Sequence, residues 1–153
     1  MNSTEWDRGL DTGHPAIDEQ HRELLVAHAD ALERARGRDG QATRVAIAGI
    51  LELTRRHFAF EELLMAESSY GQRVTHAKAH AAFLRDLLDL DALTARDACS
   101  PVVRMWLESR YLAWWKFHVR SNDAALAAHL AALAKIPTAE SNGTGAAPGE
   151  VPA

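Results

Sequence analysis

Cysteine is nearly absent from this chain, with Cys99 the only one among 153 residues. A lone thiol cannot close an internal disulfide, so stability must come from a hydrophobic core, and a reducing cytoplasm is the expected compartment. Long apolar runs are missing too, and no stretch approaches the length of a membrane span. The N-terminal segment also lacks the basic and then apolar pattern of a secretory signal.

The chain also has no large excess of positive or negative charge. The net charge is −4 and the sequence pI is about 6.0, which gives no electrostatic basis for binding nucleic acid or an anionic membrane. The chain is 47% apolar and 25% charged, and it is rich in alanine and leucine with few β-branched runs. This composition and length predict a single globular, all-α domain.

The spacing of apolar residues predicts four amphipathic helices, over residues 16–36, 41–67, 72–90 and 101–134. Ser100–Pro101 is a typical helix start, and a longer connection is expected before it, over 89–98. Val74, Phe83, Leu84 and Leu87 are predicted to be buried on the third helix.

Short loops between the helices favour an up-down-up-down four-helix bundle. The predicted domain covers residues 1–136 and begins with an irregular arm, anchored by Trp6 and Leu10. Residues 137–153 are small, polar and rich in proline and glycine, which predicts a flexible tail.

Histidines and carboxylates recur at helical spacing on the predicted inner faces. His57 with Glu61, and His76 with His80, are each four residues apart, so both members of a pair lie on one face of a helix. A lone histidine on an apolar stripe is usually a packed core residue. Here, burying so many polar groups without a metal would leave most of them unpaired. Candidate ligands on all four helices are His21, His57, Glu61, His76, His80, His118 and Asp123.

Five imidazoles and two carboxylates suit two borderline metal ions such as iron, although manganese or a mixed pair is left open. Glu61 is preferred over Glu62, which is turned about 100° further round the helix. Asp123 is harder to assign because it lies five residues from His118, whereas Asn122 lies at the ideal four. A local bulge would be needed to bring Asp123 to the site.

Four segments together resemble the hemerythrin family, and in particular the single-domain bacterial hemerythrins. They are IDEQH at 17–21, HFAFEELLM at 57–65, HAKAH at 76–80 and WWKFHVRSND at 114–123. The ordered pattern covers about 105 residues, most of the predicted folded part. Myohemerythrin is a known example of the up-down-up-down bundle, so the resemblance implies the fold that the helical pattern predicts.

The resemblance also implies roles for individual residues. His76, His80 and His118 would hold one iron, and His21 and His57 the other. Glu61 and Asp123 would bridge them beside an oxo or hydroxo group, and O2 would bind at the open position of the two-histidine iron. Residues expected to line the O2 pocket are Leu24, Leu25, Phe58, Trp115 and Val119. Trp115 stands where the family usually has leucine, so it either belongs to a rearranged core or narrows the pocket.

The leading functional hypothesis is reversible O2 binding, as a carrier, store or sensor rather than an enzyme, because no acid–base residue is placed to break the O–O bond. An enzyme or sensor acting on peroxide or nitric oxide is the alternative, and an oxygen-receiving or signalling protein partner is left unidentified. A monomer or weak oligomer is expected. A ferritin-like oxidase would use more carboxylates and a Glu-x-x-His spacing, and a structural zinc site would use cysteines.

The remaining polar candidates are expected to support the fold. His14 is predicted to be exposed or to cap a helix, His28 to pack in the core, and His129 to lie at the surface. Asp18, one turn before His21, is interpreted either as a helix cap or as an acceptor that orients His21.

Overall fold

The computed structural model describes residues 8–137 and forms an all-α four-helix bundle, as predicted. Trp6 and nearly all of the predicted tail lie outside the described residues. The first three helices are α1 (Pro15–Arg36), α2 (Gly40–Glu67) and α3 (Arg73–Asp97). The fourth, α4, comprises the α-helical segments Pro101–Met105, Tyr111–His118 and Ala124–Ala134, joined by π-helical turns at Trp106–Arg110 and Val119–Asp123.

The arm before α1 is fixed by a buried carboxylate. Asp18, 5% exposed, accepts hydrogen bonds from the backbone and hydroxyl of Thr12 and from the backbone of Gly13, at 2.7–3.1 Å. Gly13 has φ +87°, a left-handed conformation that glycine adopts without strain. His14 caps α1 by accepting from the Ile17 backbone N–H at 3.4 Å. Asp18 therefore serves as an anchor for the arm, and Leu10 is buried in the core as predicted.

Short connections set the antiparallel arrangement of the helices. Residues 37–39, 68–72 and 98–100 link them, and Arg38 and Ser69 take left-handed φ values of 57° and 53° at two of these turns. α1 packs along α2, α2 along α3, and α4 contacts both α1 and α3. Ser100 begins α4 by accepting from the Val102 backbone N–H, as predicted. Among the helices of residues 8–137, none has the length and hydropathy needed to cross a bilayer.

Two predictions about α3 were wrong. The helix continues to Asp97, so the longer connection expected over 89–98 is a short turn at 98–100. Leu90 and Thr94 keep the four-residue spacing of the buried face and extend the core beyond the predicted end. Val74 is 60% exposed, because its place in the first turn of α3 lies outside the stripe that carries His76, His80 and Phe83.

The two π turns that interrupt α4 have the same backbone hydrogen-bond pattern. The Tyr111 N–H donates to the Trp106 carbonyl, and the Ala124 N–H to the Val119 carbonyl, each five residues back instead of four. Each turn also contains a serine whose hydroxyl donates to the carbonyl four residues back. These pairs are Ser109 with Met105 at 2.8 Å and Ser121 with Phe117 at 2.6 Å. Turns of this kind widen the helix and change which side chains face the core.

Candidate metal centre

All seven candidate ligands converge in the middle of the bundle, and each is at most 2% exposed. α1 supplies one, α2 and α3 supply two each, and α4 supplies the last two. Their donor atoms fall into two overlapping groups in which every atom lies within 4.8 Å of the others. One group is Glu61, His76, His80, His118 and Asp123, and the other is His21, His57, Glu61 and Asp123.

The imidazoles divide three and two. The Nε2 atom of His118 lies 3.1 Å from the Nε2 atoms of both His76 and His80. On the other side, the Nε2 atoms of His21 and His57 are 3.2 Å apart. Each set of rings therefore points its inner nitrogens at a common centre.

Each carboxylate reaches both sets. Asp123 Oδ1 lies 3.0 Å from His118 Nε2 and 3.1 Å from His76 Nε2, while Oδ2 lies 3.0 Å from His21 Nε2. Glu61 Oε2 lies 3.1 Å from His80 Nε2, and Oε1 lies 3.6 Å from His57 Nε2. With one oxygen toward each set, both carboxylates stand where bridging ligands would stand.

The π turn at Val119–Asp123 makes this position available to Asp123. In a regular α-helix, five residues turn the chain by about 500°, which would leave Asp123 about 140° round from His118. The wider turn brings the carboxylate to 3.0 Å from the His118 ring, whereas Asn122 is half-buried and its side-chain oxygen lies 2.9 Å from the Ser121 hydroxyl. The structure thus contains the local bulge that the sequence spacing required.

The donor set fits a pair of metal ions. Donors at adjacent corners of an octahedron with bonds of about 2.1 Å lie about 3.0 Å apart, close to the nitrogen and oxygen separations here. Glu61 and Asp123 are fully buried. Within the described residues, none of their four carboxylate oxygens has a well-aligned hydrogen bond. Buried oxygens of this kind are normally satisfied, and cations between the rings would satisfy them.

The donor groups differ in how burial and their neighbours shift their pKa values. Burial lowers the pKa of His57 to about 3 and that of His80 to about 2, so both rings are neutral at pH 7 and offer a lone pair. Burial opposes the charged form of His76, but its contacts with Asp123 and Glu61 outweigh this effect and raise its pKa to about 9. Burial and the charge of Asp123 raise the pKa of Glu61, because two carboxylates in one dry site repel each other.

Aromatic side chains pack against the histidine rings of the centre. The Trp115 ring lies 5.6 Å from the rings of both His21 and His57. Phe58 stacks on His80 at 3.8 Å, and Trp114 stacks on His118 at 4.3 Å. Of the residues predicted to line a pocket, Leu24, Phe58, Trp115 and Val119 are buried in the main core cluster, and Leu25 is half-buried.

The histidines outside the centre support the fold. His28 is buried, hydrogen-bonds through Nε2 to the Leu107 carbonyl at 2.7 Å and stacks on Tyr111 at 4.4 Å, so it is a packing residue as predicted. His129 was predicted to lie at the surface. It is half-buried, because its Nε2 bonds to the Ser68 carbonyl at 3.1 Å and its ring packs on Tyr70.

Comparisons with known proteins agree with this geometry. No protein-family model matches the chain. The bacteriohemerythrin of Pseudomonas aeruginosa is 29% identical over 119 residues, which cover 78% of this chain and 76% of that protein. That of Stenotrophomonas maltophilia is 29% identical over 137 residues, 85% of this chain and 86% of its own length. The myohemerythrin of Riftia pachyptila is 28% identical over 102 residues, or 67% and 79%.

These similarities, which extend over most of the chain, support a hemerythrin family member. This confirms the resemblance drawn from the four motifs, all of which contribute residues to the buried centre. The assignment of individual residues as metal ligands stays a prediction.

Two side chains outside the seven candidate ligands hydrogen-bond to histidines of the centre. The Nδ1–H of His57 donates to the Gln20 carbonyl oxygen at 2.8 Å, and that of His80 donates to the Glu62 carboxylate at 3.1 Å. Sequence reasoning did not consider Gln20, and it only set Glu62 aside in favour of Glu61 as a ligand. A usable signal was present, since each immediately neighbours a candidate ligand, His21 or Glu61, in the sequence.

Proposed function

We propose that this hemerythrin holds two iron ions and binds O2 reversibly, as a carrier, store or sensor within one domain of residues 1–136. The observation that carries the proposal is the division of the imidazoles into sets of three and two, with a carboxylate oxygen directed at each set. Relatives named bacteriohemerythrin and myohemerythrin support the same assignment. A cytoplasmic location stays a prediction.

The unequal division gives the two iron positions different capacities. His76, His80 and His118 would hold one iron, and His21 and His57 the other, with Glu61 and Asp123 shared between them. The second position has one protein donor fewer, which leaves room for a small ligand. An Fe(II) pair bound there would supply O2 with two electrons and an open coordination position.

The surrounding side chains favour reversible binding over onward chemistry. Trp115 and Phe58 are at most 5% exposed, and their rings lie 5.6 Å and 5.8 Å from the ring of His57, so this side of the centre is apolar. Within the described residues, the two sets of possible metal ligands contain only two carboxylates, Glu61 and Asp123, and both are proposed ligands. The five residues predicted to line the pocket, Leu24, Leu25, Phe58, Trp115 and Val119, carry no carboxylic acid that could protonate a bound ligand.

An iron count combined with an optical spectrum tests the proposal. Protein loaded anaerobically with Fe(II) should contain two irons per chain, and a visible absorption band should appear in air and fade on degassing. His21→Ala should bind less iron, whereas the exposed Glu52→Ala should behave like the unmodified protein. Two irons with an irreversible spectral change in air would favour the alternative, an enzyme or sensor acting on peroxide or nitric oxide. No bound iron would overturn the ligand assignment.

A further inference from the structure

Each set of imidazoles contains one histidine whose outer nitrogen is held by a side chain of a neighbouring helix. Gln20 on α1 accepts from His57 on α2, and Glu62 on α2 accepts from His80 on α3. We propose that Gln20 and Glu62 are positioning residues that fix the tautomers of these histidines and make the two metal positions electronically unequal. The inference rests on the proposed two-metal site and adds a determinant of its redox behaviour.

The chemistry of the two acceptors fixes the tautomers of His57 and His80. An ionised carboxylate and an amide carbonyl oxygen can only accept, so Nδ1 of each imidazole must carry the proton. The Nε2 lone pair is then available, and both Nε2 atoms point toward the centre. Because the acceptors lie on adjacent helices, the same hydrogen bonds also fix the ring planes across the α1–α2 and α2–α3 interfaces.

The inequality follows from the charges of the acceptors. Glu62 carries a carboxylate whose side chain is 46% exposed, so its position beside His80 requires little burial of charge. Gln20 is neutral. A carboxylate that accepts from an imidazole makes the ring a stronger electron donor. The three-histidine position therefore gains negative charge that the two-histidine position lacks.

In the three-histidine set, His80 is held both by its hydrogen bond to Glu62 and by stacking on Phe58. The Nδ1 atom of His76 is buried and has no hydrogen-bond partner among the described residues. The His118 ring is held by stacking on Trp114. Glu62 is thus a charged residue on the outer nitrogen of a proposed ligand, where its charge can alter the electron density that His80 donates to the metal. We expect it to favour the oxidised state of the metal at that position.

Paired substitutions separate position from charge. Glu62→Ala removes both the acceptor and the charge, Glu62→Gln retains an acceptor, and Glu52→Ala removes an exposed carboxylate from the same helix as a control. When a chelator competes with the full chain for Fe(II), Glu62→Ala should lower the affinity for one of the two metal ions about 10–100-fold. Glu62→Gln should restore most of that affinity, and Glu52→Ala should not differ from the unmodified protein.

The reduction potential of the iron-loaded protein tests the charge. The potential should rise in Glu62→Gln and fall in the reverse substitution Gln20→Glu, with Glu52→Ala unchanged. A structural role alone would not give opposite shifts in two variants that both retain their metals. Unchanged potentials in both variants, or unchanged Fe(II) affinity in Glu62→Ala, would overturn the inference.

Nitrogen NMR of the Zn(II)-loaded chain gives a readout independent of redox chemistry. His80 and His57 should each show a protonated Nδ1, and the His80 signal should be altered by Glu62→Ala but not by Gln20→Ala. A protonated Nδ1 that is unaffected by Glu62→Ala would contradict the inference and leave the proposed function standing. Failure of the unmodified protein to bind either Zn(II) or Fe(II) would overturn both.

Discussion

Helix α4 contains two π turns thirteen residues apart, at Trp106–Arg110 and Val119–Asp123, and the two turns contact different buried side chains. In both, a backbone N–H reaches five residues back, and a serine hydroxyl bonds to a carbonyl on the exposed side. The two turns therefore have the same backbone hydrogen bonding, but different buried side chains contact them.

The first turn is used to join two helices. Since the Tyr111 N–H donates to Trp106, the Leu107 carbonyl does not receive it, and His28 on α1 donates to that carbonyl instead at 2.7 Å. The His28 ring then stacks on Tyr111 with an interplanar angle of 5°. A buried side chain thus satisfies an acceptor that the wider turn made available.

The second turn is used to place a functional group. It brings the Asp123 carboxylate to 3.0 Å from both His118 and His21. The comparison teaches that one local distortion can serve either packing or chemistry. Which one it serves depends on the side chain that faces the core, and π turns are frequent at functional sites for this reason.

The largest effect is expected from exchanging the residues at the end of the second turn. The double variant Asn122→Asp/Asp123→Asn keeps the composition and charge but moves the carboxylate to the spacing ideal for a regular α-helix. Because the turn is π-helical, the new carboxylate should miss the centre, and the protein should bind fewer than two irons per chain. Elemental analysis after anaerobic loading measures this directly.

The single variant Asn122→Asp is the matched control for the exchange, and it should retain two irons. Circular dichroism should show the same helix content in both variants. If the double variant held two irons, the π turn would have no part in placing the proposed bridging carboxylate.

The first turn should respond through stability. His28→Phe preserves a ring against Tyr111 but leaves the buried Leu107 carbonyl without its donor, which should cost about 1–3 kcal/mol of unfolding free energy. Urea unfolding at equal iron content measures the loss. A difference below about 0.5 kcal/mol would show that the hydrogen bond does not help to hold this turn.

The same variant should change the dependence of stability on pH. Burial lowers the pKa of His28 below its ordinary value of 6.5, with Arg36 acting in the same direction and the Leu107 contact opposing them. Below about pH 6.5 the unfolded chain binds a proton that the folded chain does not, so the stabilising contribution of neutral His28 declines as pH falls. His28→Phe should therefore lose less stability between pH 7.5 and 5.5 than the unmodified protein.

A smaller effect is expected from Trp115, which lies on the α-helical segment between the two turns. Its ring is 5.6 Å from the rings of His21 and His57, where a ligand of the two-histidine iron would approach. Trp115→Leu should open that approach and raise the rates of O2 association and autoxidation on the order of tenfold, about 1.4 kcal/mol of barrier. Flash photolysis and stopped-flow absorbance measure them, and unchanged rates would show that Trp115 does not restrict access.

Much of this fold could be predicted because apolar residues recur at helical spacing over long segments of this sequence. Four helices, their order and the start of α4 at Ser100–Pro101 follow from apolar spacing and capping residues. The end of α3 was missed because charged residues over 89–98 obscure the continuing stripe at Leu90 and Thr94. Amphipathic spacing reports the buried face more reliably than it reports where a helix ends.

The candidate site shows a similar limit. Pairs four residues apart, such as His57 with Glu61, are encoded by helix geometry alone. Asp123 could be reached only by assuming a bulge, since the sequence gives no direct sign of a π turn. The hydrogen bonds from His57 to Gln20 and from His80 to Glu62 depend on the rotation of adjacent helices, which single-helix spacing does not determine.

The most direct test of the account is a crystal structure of the iron-loaded protein with data collected at the iron absorption edge. The account predicts two anomalous peaks in each chain, one among His76, His80 and His118 and the other between His21 and His57, with Asp123 contacting both. A single peak, or a peak bound without Asp123, would contradict the assignment of a two-iron centre bridged through the second π turn.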